Sequence, residues 1–191
     1  MRLVLASSSP RRRELLESLN LQFQVRSPDV DETRFPDEMP GTYVERIARA
    51  KAVAVAESYA VTVAADTTVV FEGKVMGKPG HPEEARSMLR RLQGARHEVL
   101  TGLAVASLGE THSLVDATEV EMMPMTDEEI AAYVAGGEPM GKAGAYALQG
   151  EGGVFVTRVH GSPSTVVGLP IHQLPRLLGR VGVELSQFRS R

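Results

Sequence analysis

The sequence contains no cysteine, which excludes disulfide bonds and thiolate metal sites. Its formal net charge is only −3, so no global field attracts the chain to nucleic acid, and any anion site must be local. No apolar run approaches the roughly 18 residues of a membrane span, and the run at residues 3–6 is too short for a signal peptide. We therefore expect a cytoplasmic protein that acts on neither nucleic acid nor membranes.

The chain is long enough for one domain, and we expect a single domain over residues 1–191. Apolar patterns alternate between strand-like and helix-like segments, which favours an α/β fold with a mixed sheet. Strands are predicted at residues 2–6, 23–25, 61–71, 74–76, 99–108 and 113–123. Helices are predicted at residues 10–19, from Thr42, at 82–93, after Thr126, and at 170–178, with capping boxes opening at Thr42 and Thr126.

The first predicted helix begins with Ser9 as N-cap and Pro10 at its first position, and then places Arg11, Arg12 and Arg13 in its first turn. The start of a helix carries a partial positive charge, so arginines there are unfavourable unless an anion lies beneath them. Residues 7–9 are all serines, whose hydroxyls suit such an anion. We interpret the segment as a phosphate site, with a solvated arginine cluster as the alternative.

Three further charged residues are ambiguous by themselves. Lys51 falls within the apolar stripe of its helix, so its ammonium either stays wet at the end of a buried stem or points to an anion. Asp66 interrupts an apolar strand, where it is either a strand-end cap or a metal ligand or general base. Lys78, taken alone, is explained as an ordinary lysine in a turn.

Residues 136–143 nearly match a Walker A loop. Ala143 stands where a serine or threonine should ligate Mg²⁺, and the segment follows a helix instead of a strand. We reject a P-loop on both grounds.

Taken in order along the chain, nine short motifs closely resemble the Maf family of nucleoside triphosphate pyrophosphatases. They are LASSSPRR (5–12), DVDET (29–33), AKA (50–52), ADTTVV (65–70), GKP (77–79), GEP (137–139), KAGAY (142–146), QG (149–150) and VGLP (167–170). The resemblance implies an elongated, mixed, twisted sheet with flanking helices and two lobes around a cleft, similar to the ITPase fold. It also implies a nucleoside triphosphate as the partner, with a homodimer as one assembly to be expected.

The resemblance further implies hydrolysis of the triphosphate to the monophosphate and pyrophosphate with a divalent cation, Mg²⁺ or Mn²⁺. Where the motifs match, the resemblance implies that phosphate is contacted by Ser7, Arg12, Lys51 and Lys78. It implies in the same way that metal or water is contacted by Glu32 and Asp66. Asp66 is the usual candidate for the proton acceptor, although an ordinary aspartate accepts protons weakly at neutral pH. A metal-ligand role for Asp66 therefore stays open.

Base preference is implied by Arg11, Thr67 and Gln149, which match the subgroup acting on dTTP and UTP. Gln149 makes chemical sense there, because an amide both donates and accepts, as the pairing edge of uracil or thymine requires. Two alternatives remain: a nucleotide-binding regulator of cell division or septum formation without significant turnover, and an enzyme for modified purine nucleotides. Within the main hypothesis, a modified pyrimidine nucleotide also stays open as the physiological substrate.

Overall fold

The computed structural model describes residues 1–189 and has a mixed α/β fold. Its elements in chain order are β1 (Arg2–Ala6), α1 (Pro10–Glu17), β2 (Gln24–Arg26), α2 (Pro40–Ala54), β3 (Ala60–Phe71), β4 (Lys74–Met76), α3 (Pro82–Leu92), β5 (Arg96–Ser107), β6 (Glu110–Met122), α4 (Asp127–Ala135), β7 (Val156–His160), α5 (Pro163–Val167) and α6 (Leu174–Arg180). Short 3₁₀ helices lie at Ala143–Ala145, Glu151–Phe155, Ile171–Gln173 and Leu185–Phe188. None of the helices in this described part has the length and apolar character that a membrane span requires.

The seven described strands form one sheet in the order β2-β1-β3-β5-β6-β7, with β4 also paired to β3. β1 pairs in parallel with both β2 and β3. The pairs β3–β4 and β6–β7 are antiparallel. The predicted mixed sheet is therefore confirmed, and a tight turn at Glu72 and Gly73 connects β3 to β4.

The chain divides into two compact units. The first consists of Met1–Asp66, Thr101–Asp116 and the residues from Gly168 on, and the second of Thr67–Leu100 and Ala117–Val167. The core of the first unit includes Leu5, Leu16, Leu103, Leu169 and Leu177. The core of the second includes Val69, Leu89, Met122, Ile130 and Tyr146. The single domain over residues 1–191 stays a prediction.

Two predicted helix boundaries are wrong, and proline explains both. α2 begins at Pro40 with Met39 as N-cap and no side-chain cap, so the capping box predicted at Thr42 does not form. Proline is favoured in a first turn because its missing N–H has no partner there. The helix predicted at 170–178 is instead a 3₁₀ turn followed by α6, since Pro175 inside one continuous helix would clash with the carbonyl of Ile171.

The other helices agree with the prediction in part. α4 has the predicted capping box between Thr126 and Glu129, and it ends at Gly136. α1 has Ser9 as N-cap residue, but the helix ends at Glu17, two residues earlier than expected. The five-residue helix α5 was not predicted.

Gly102 on β5 permits the close packing of α2 in the first unit. A Cβ there would lie 2.3 Å from the carbonyl oxygen of Val44 and 2.7 Å from the amide nitrogen of Glu45. We expect Gly102→Ala to lower the free energy of unfolding by about 2 kcal/mol or more, because backbone atoms cannot move aside cheaply. Urea denaturation checks this. Gly179→Ala, in open space within α6, is the control and should be neutral or stabilising; equal losses would contradict the packing argument.

His97 on β5 is buried in the second unit, where its Nε2 lies 2.8 Å from Oη of Tyr146. Burial lowers the pKa of His97 to about 4. The unfolded chain, with a histidine pKa near 6.5, binds this proton more readily, so stability present above pH 6.5 is lost as the pH falls toward 4. The loss from this group should be on the order of 3 kcal/mol. His97→Gln should flatten the pH dependence in urea titrations; an unchanged slope would contradict it.

Candidate functional site

The junction between β1 and α1 brings the predicted serine and arginine together. Ser7 is buried, and its Oγ accepts hydrogen bonds from the Ser9 amide at 3.1 Å and from Nη1 of Arg12 at 3.4 Å. Arg12 also donates from Nε to the carbonyl of Gly168 at 2.7 Å. The Ser9 side chain makes no capping hydrogen bond, and the first turn of α1 contains no acidic residue. The helix start is therefore positively charged.

The three consecutive arginines differ in their surroundings. Arg13 is exposed and pairs with Glu17 at 2.7 Å, one helical turn away. Arg11 and Arg12 are partly buried. Burial lowers the pKa of Arg12, and the neighbouring Arg11 adds to this, while Asp66 acts in the opposite direction. Arg12 is thus a partly desolvated cation whose charge is better compensated when an anion is near.

Lys51 lies between two carboxylates in the first unit. Its Nζ is 2.7 Å from Oδ1 of Asp66 and 2.7 Å from Oε1 of Glu32. Only 8% of the Lys51 side chain and 9% of the Asp66 side chain are exposed, whereas Glu32 is 44% exposed. The alternative in which the ammonium of Lys51 stays wet is therefore wrong.

Asp66 owes its position to β3. The strand is buried along nearly its whole length, and Asp66 is seventh of its twelve residues, so it is not a strand-end cap. α2 presents Lys51 from the same helical face as Val44, Ile47 and Ala48, which are also buried. The buried carboxylate of Asp66, in the middle of an apolar strand, is thus paired with the buried ammonium of Lys51 on the helix.

The carboxylates of Glu32 and Asp66 suit a hard divalent cation, because oxygen ligands are those that Mg²⁺ and Mn²⁺ take. Within residues 1–189, however, no group of three or more histidine, aspartate or glutamate side chains is arranged to hold a metal. The protein therefore offers two carboxylates, and Mg²⁺ commonly completes such a set with water and substrate phosphate.

Two residues that the sequence did not suggest, Tyr43 and Arg46, hold the segment around Glu32. Tyr43 on α2 donates from Oη to the carbonyl of Glu32 at 3.1 Å. One turn later, Arg46 forms a bidentate pair with Glu38, at 2.7 and 2.8 Å, and bonds the carbonyl of Thr33. The sequence signal that could have indicated this pair is the three-residue spacing of Tyr43 and Arg46, which puts both on one face of α2.

The remaining predicted residues belong to the second unit. Thr67 follows Asp66 directly on β3 and is partly exposed, while Lys78 and Gln149 are exposed. The motif containing Lys78 is tied to the KAGAY motif, because the amide of Gly144 donates to the carbonyl of Gly77 at 3.1 Å. The structure thus gathers Ser7 with Arg12 and Lys51 with its two carboxylates, and places the other three in the second unit.

The rejected Walker A segment behaves as expected. It follows α4, not a strand, and Nζ of Lys142 bonds the carbonyl of Glu138 within the same turn. This geometry is unlike a phosphate-binding loop opening a helix.

A serine and an arginine lie at a positively charged helix start, and in the same unit a buried lysine pairs with two carboxylates. A helix start of this kind suits an anionic ligand. Comparison with known proteins identifies the family. Residues 2–181 match the family described as Maf-like protein, and the chain belongs to that family.

Curated relatives are similar over nearly their full length. A protein of Anaeromyxobacter dehalogenans (strain 2CP-C) named dTTP/UTP pyrophosphatase is 54% identical over 188 residues, covering 96% of both chains. One of the same name from Vibrio cholerae is 48% identical and covers 93% of this chain and 96% of its own. Among solved structures, the Staphylococcus aureus Ham1 protein is similar at 16% identity and a TM-score of 0.43, covering 64% of this chain and 72% of its own.

Removing the ammonium of Lys51 should be costly, because it leaves the buried Asp66 carboxylate without its cation. We expect Lys51→Met to lower the free energy of unfolding by about 3 kcal/mol in urea titrations at neutral pH. Lys74→Met on β4 is the matched control, since Lys74 is exposed, and it should change stability by less than about 0.5 kcal/mol. Similar losses in both variants would show that the ion pair contributes little.

Proposed function

We propose that this protein hydrolyses dTTP and UTP to the monophosphate and pyrophosphate. Membership of the Maf-like family and the names of relatives at 44–54% identity support the activity. The observation that carries the proposal for this chain is the buried Lys51, paired with Glu32 and Asp66. Such a cluster provides both a cation for phosphate and carboxylates for metal or water.

The triphosphate is proposed to lie on Ser7, Arg12, Lys51 and Lys78. Support comes from the start of α1, where Ser9 makes no capping hydrogen bond and the first turn contains no acidic residue. A phosphate there would meet helix amides and the partly desolvated guanidinium of Arg12. These contacts favour a ligand with concentrated negative charge.

Glu32 and Asp66 are the proposed ligands of a divalent cation, Mg²⁺ or Mn²⁺. When bound, such an ion supplies Lewis acidity toward phosphoryl oxygens and charge neutralisation near the leaving group. Lys51 already pairs with both carboxylates through its ammonium, and this brings the two carboxylates close together.

The proposed chemistry is attack of water on the α-phosphorus. A bond forms between the water oxygen and the α-phosphorus, the bond to the oxygen bridging the α- and β-phosphates breaks, and pyrophosphate leaves with that oxygen. Arg12, Lys51 and Lys78 stabilise the negative charge that develops on it. The proton of water passes to Asp66, or to solvent if Asp66 serves only to hold the metal.

Base selection is proposed to involve Arg11, Thr67 and Gln149. An amide that both donates and accepts complements uracil or thymine, while a mismatched polar pair costs about 1–3 kcal/mol. Modified pyrimidine nucleotides remain within this class of substrate. A homodimeric assembly and a cytoplasmic location stay predictions.

A regulator of cell division without turnover is the less favoured function, because the relatives bear the name of an enzyme. Incubating the purified protein with each standard ribonucleoside and deoxyribonucleoside triphosphate plus Mn²⁺ separates the two. We expect pyrophosphate release, fastest with dTTP and UTP. Stoichiometric binding of a nucleotide without any product would favour the regulator instead.

Asp66→Asn removes the charged carboxylate but keeps the size of the side chain. We expect pyrophosphate release to fall at least about a hundredfold, with UTP binding still measurable by calorimetry. Asp127→Asn, at an exposed position at the start of α4, is the control and should keep normal turnover. Near-normal turnover in Asp66→Asn would remove this residue from the reaction.

A further inference from the structure

Glu138, in the turn after α4, makes three hydrogen bonds through its carboxylate. Oε1 accepts the backbone amide of Glu151 at 3.1 Å. Oε2 accepts the amide of Gly152 at 2.9 Å and the hydroxyl of Tyr133 at 2.7 Å. All four residues belong to the second unit. One side chain therefore holds two consecutive backbone amides that lie just beyond Gln149.

Tyr133 holds the chain on the other side of Gln149. Its Oη accepts the amide of Ala147 at 3.3 Å while donating to Glu138. Gln149 is therefore flanked by fixed backbone, at Ala147 before it and at Glu151 and Gly152 after it. Since Gln149 itself is exposed, contacts on the flanking backbone are what can fix its direction.

Glycines make room for this arrangement. A Cβ on Gly150 would lie 2.0 Å from Oε1 of Glu138, and a Cβ on Gly152 would lie 2.3 Å from Oη of Tyr133. Neither the carboxylate nor the phenol could take its position beside a residue with a side chain. The GEP and QG motifs therefore contact each other in the fold, although Glu138 and Gln149 are eleven positions apart in the sequence.

The charge of Glu138 suits this role. Burial raises the pKa of the Glu138 carboxyl. The hydrogen bonds from Tyr133, Gly152 and Glu151 together lower it by more than burial raises it, so the pKa lies below its ordinary value. Burial raises the pKa of Tyr133, which keeps its hydroxyl protonated as a donor. At neutral pH the group is a charged acceptor surrounded by donors.

We propose that Glu138 is a positioning residue that fixes the Gln149 loop for recognition of uracil and thymine. The inference rests on the proposed function, in which Gln149 contacts the base. A base contact discriminates only if its donor and acceptor are held in direction, because a mobile amide can turn to suit another base. Glu138 provides that constraint without touching the nucleotide.

The direct test compares Glu138→Gln with Glu128→Gln, which changes the same charge at an exposed position on α4. An amide group cannot accept all three hydrogen bonds, and its NH₂ faces backbone donors. We expect kcat/KM for UTP to fall about tenfold through KM, with that for CTP changing less than about twofold. Glu128→Gln should keep the wild-type ratio.

Gly150→Ala tests the same contact without removing a charge. Its Cβ should displace the Glu138 carboxylate and reduce the UTP-to-CTP ratio as Glu138→Gln does. In a Glu138→Ala background no carboxylate remains to displace, so adding Gly150→Ala should cause little further change in that ratio. Fully independent losses in the double variant would contradict the coupling. Tyr133→Phe serves as a second variant if Glu138→Gln does not fold.

Amide hydrogen exchange supplies a readout separate from activity. Exchange at Glu151 and Gly152 should accelerate at least about tenfold in Glu138→Gln and stay unchanged in Glu128→Gln. Faster exchange with an unchanged UTP-to-CTP ratio would overturn the positioning role and leave a purely structural one. Unchanged exchange would overturn the contact itself.

Failure of the proposed function gives a different pattern. If wild-type protein releases no pyrophosphate from any nucleotide, the same variants are compared by calorimetric binding of UTP and CTP. A loss of binding preference in Glu138→Gln then still supports positioning, whereas equal affinities of the wild type for both nucleotides contradict it.

Discussion

The ion pair between Lys51 and Asp66 is the interaction on which the rest of the site depends. It places two opposite charges, each less than a tenth exposed, in the interior of an apolar strand and against an otherwise apolar helix face. Neither charge is tolerable there alone, so the position of β3 and the position of α2 are linked. Glu32 adds a second carboxylate to the same ammonium, and Tyr43 and Arg46 fix the segment that carries it.

This cluster lies in the same unit as the cationic start of α1, and the two have opposite electrostatic needs. Lys51 offsets only one of the two carboxylate charges, so the cluster keeps a net negative charge, whereas Arg12 is partly desolvated and its pKa is lowered by burial. A polyphosphate supplies the negative charge that the helix start lacks, and a divalent cation adds positive charge beside the carboxylates. The proposed binding depends on local charge, so a net charge of only −3 does not oppose it.

The sequence was sufficient for what local patterns determine. The apolar run of β3, its turn at Gly73 and the capping box of α4 were all predictable, as was the arginine cluster at the start of α1. The partners of charged residues were not, because the distance between Lys51 and Asp66 is set by how α2 packs on the sheet. Glu138 was missed for the same reason: within its motif it is one more surface glutamate, and only folding brings Gly150 and Gly152 to its carboxylate.

The proposed function requires the triphosphate to bind at Ser7, Arg12 and Lys51. A crystal structure with a dTTP analogue whose α–β bridge resists hydrolysis, grown with Mn²⁺, would show whether it does. We expect phosphate oxygens within hydrogen-bond distance of the Ser7 hydroxyl and the Arg12 guanidinium, with the anomalous signal of manganese beside Asp66. A triphosphate bound away from the start of α1, with Lys51 and Asp66 contacting neither phosphate nor metal, would contradict it.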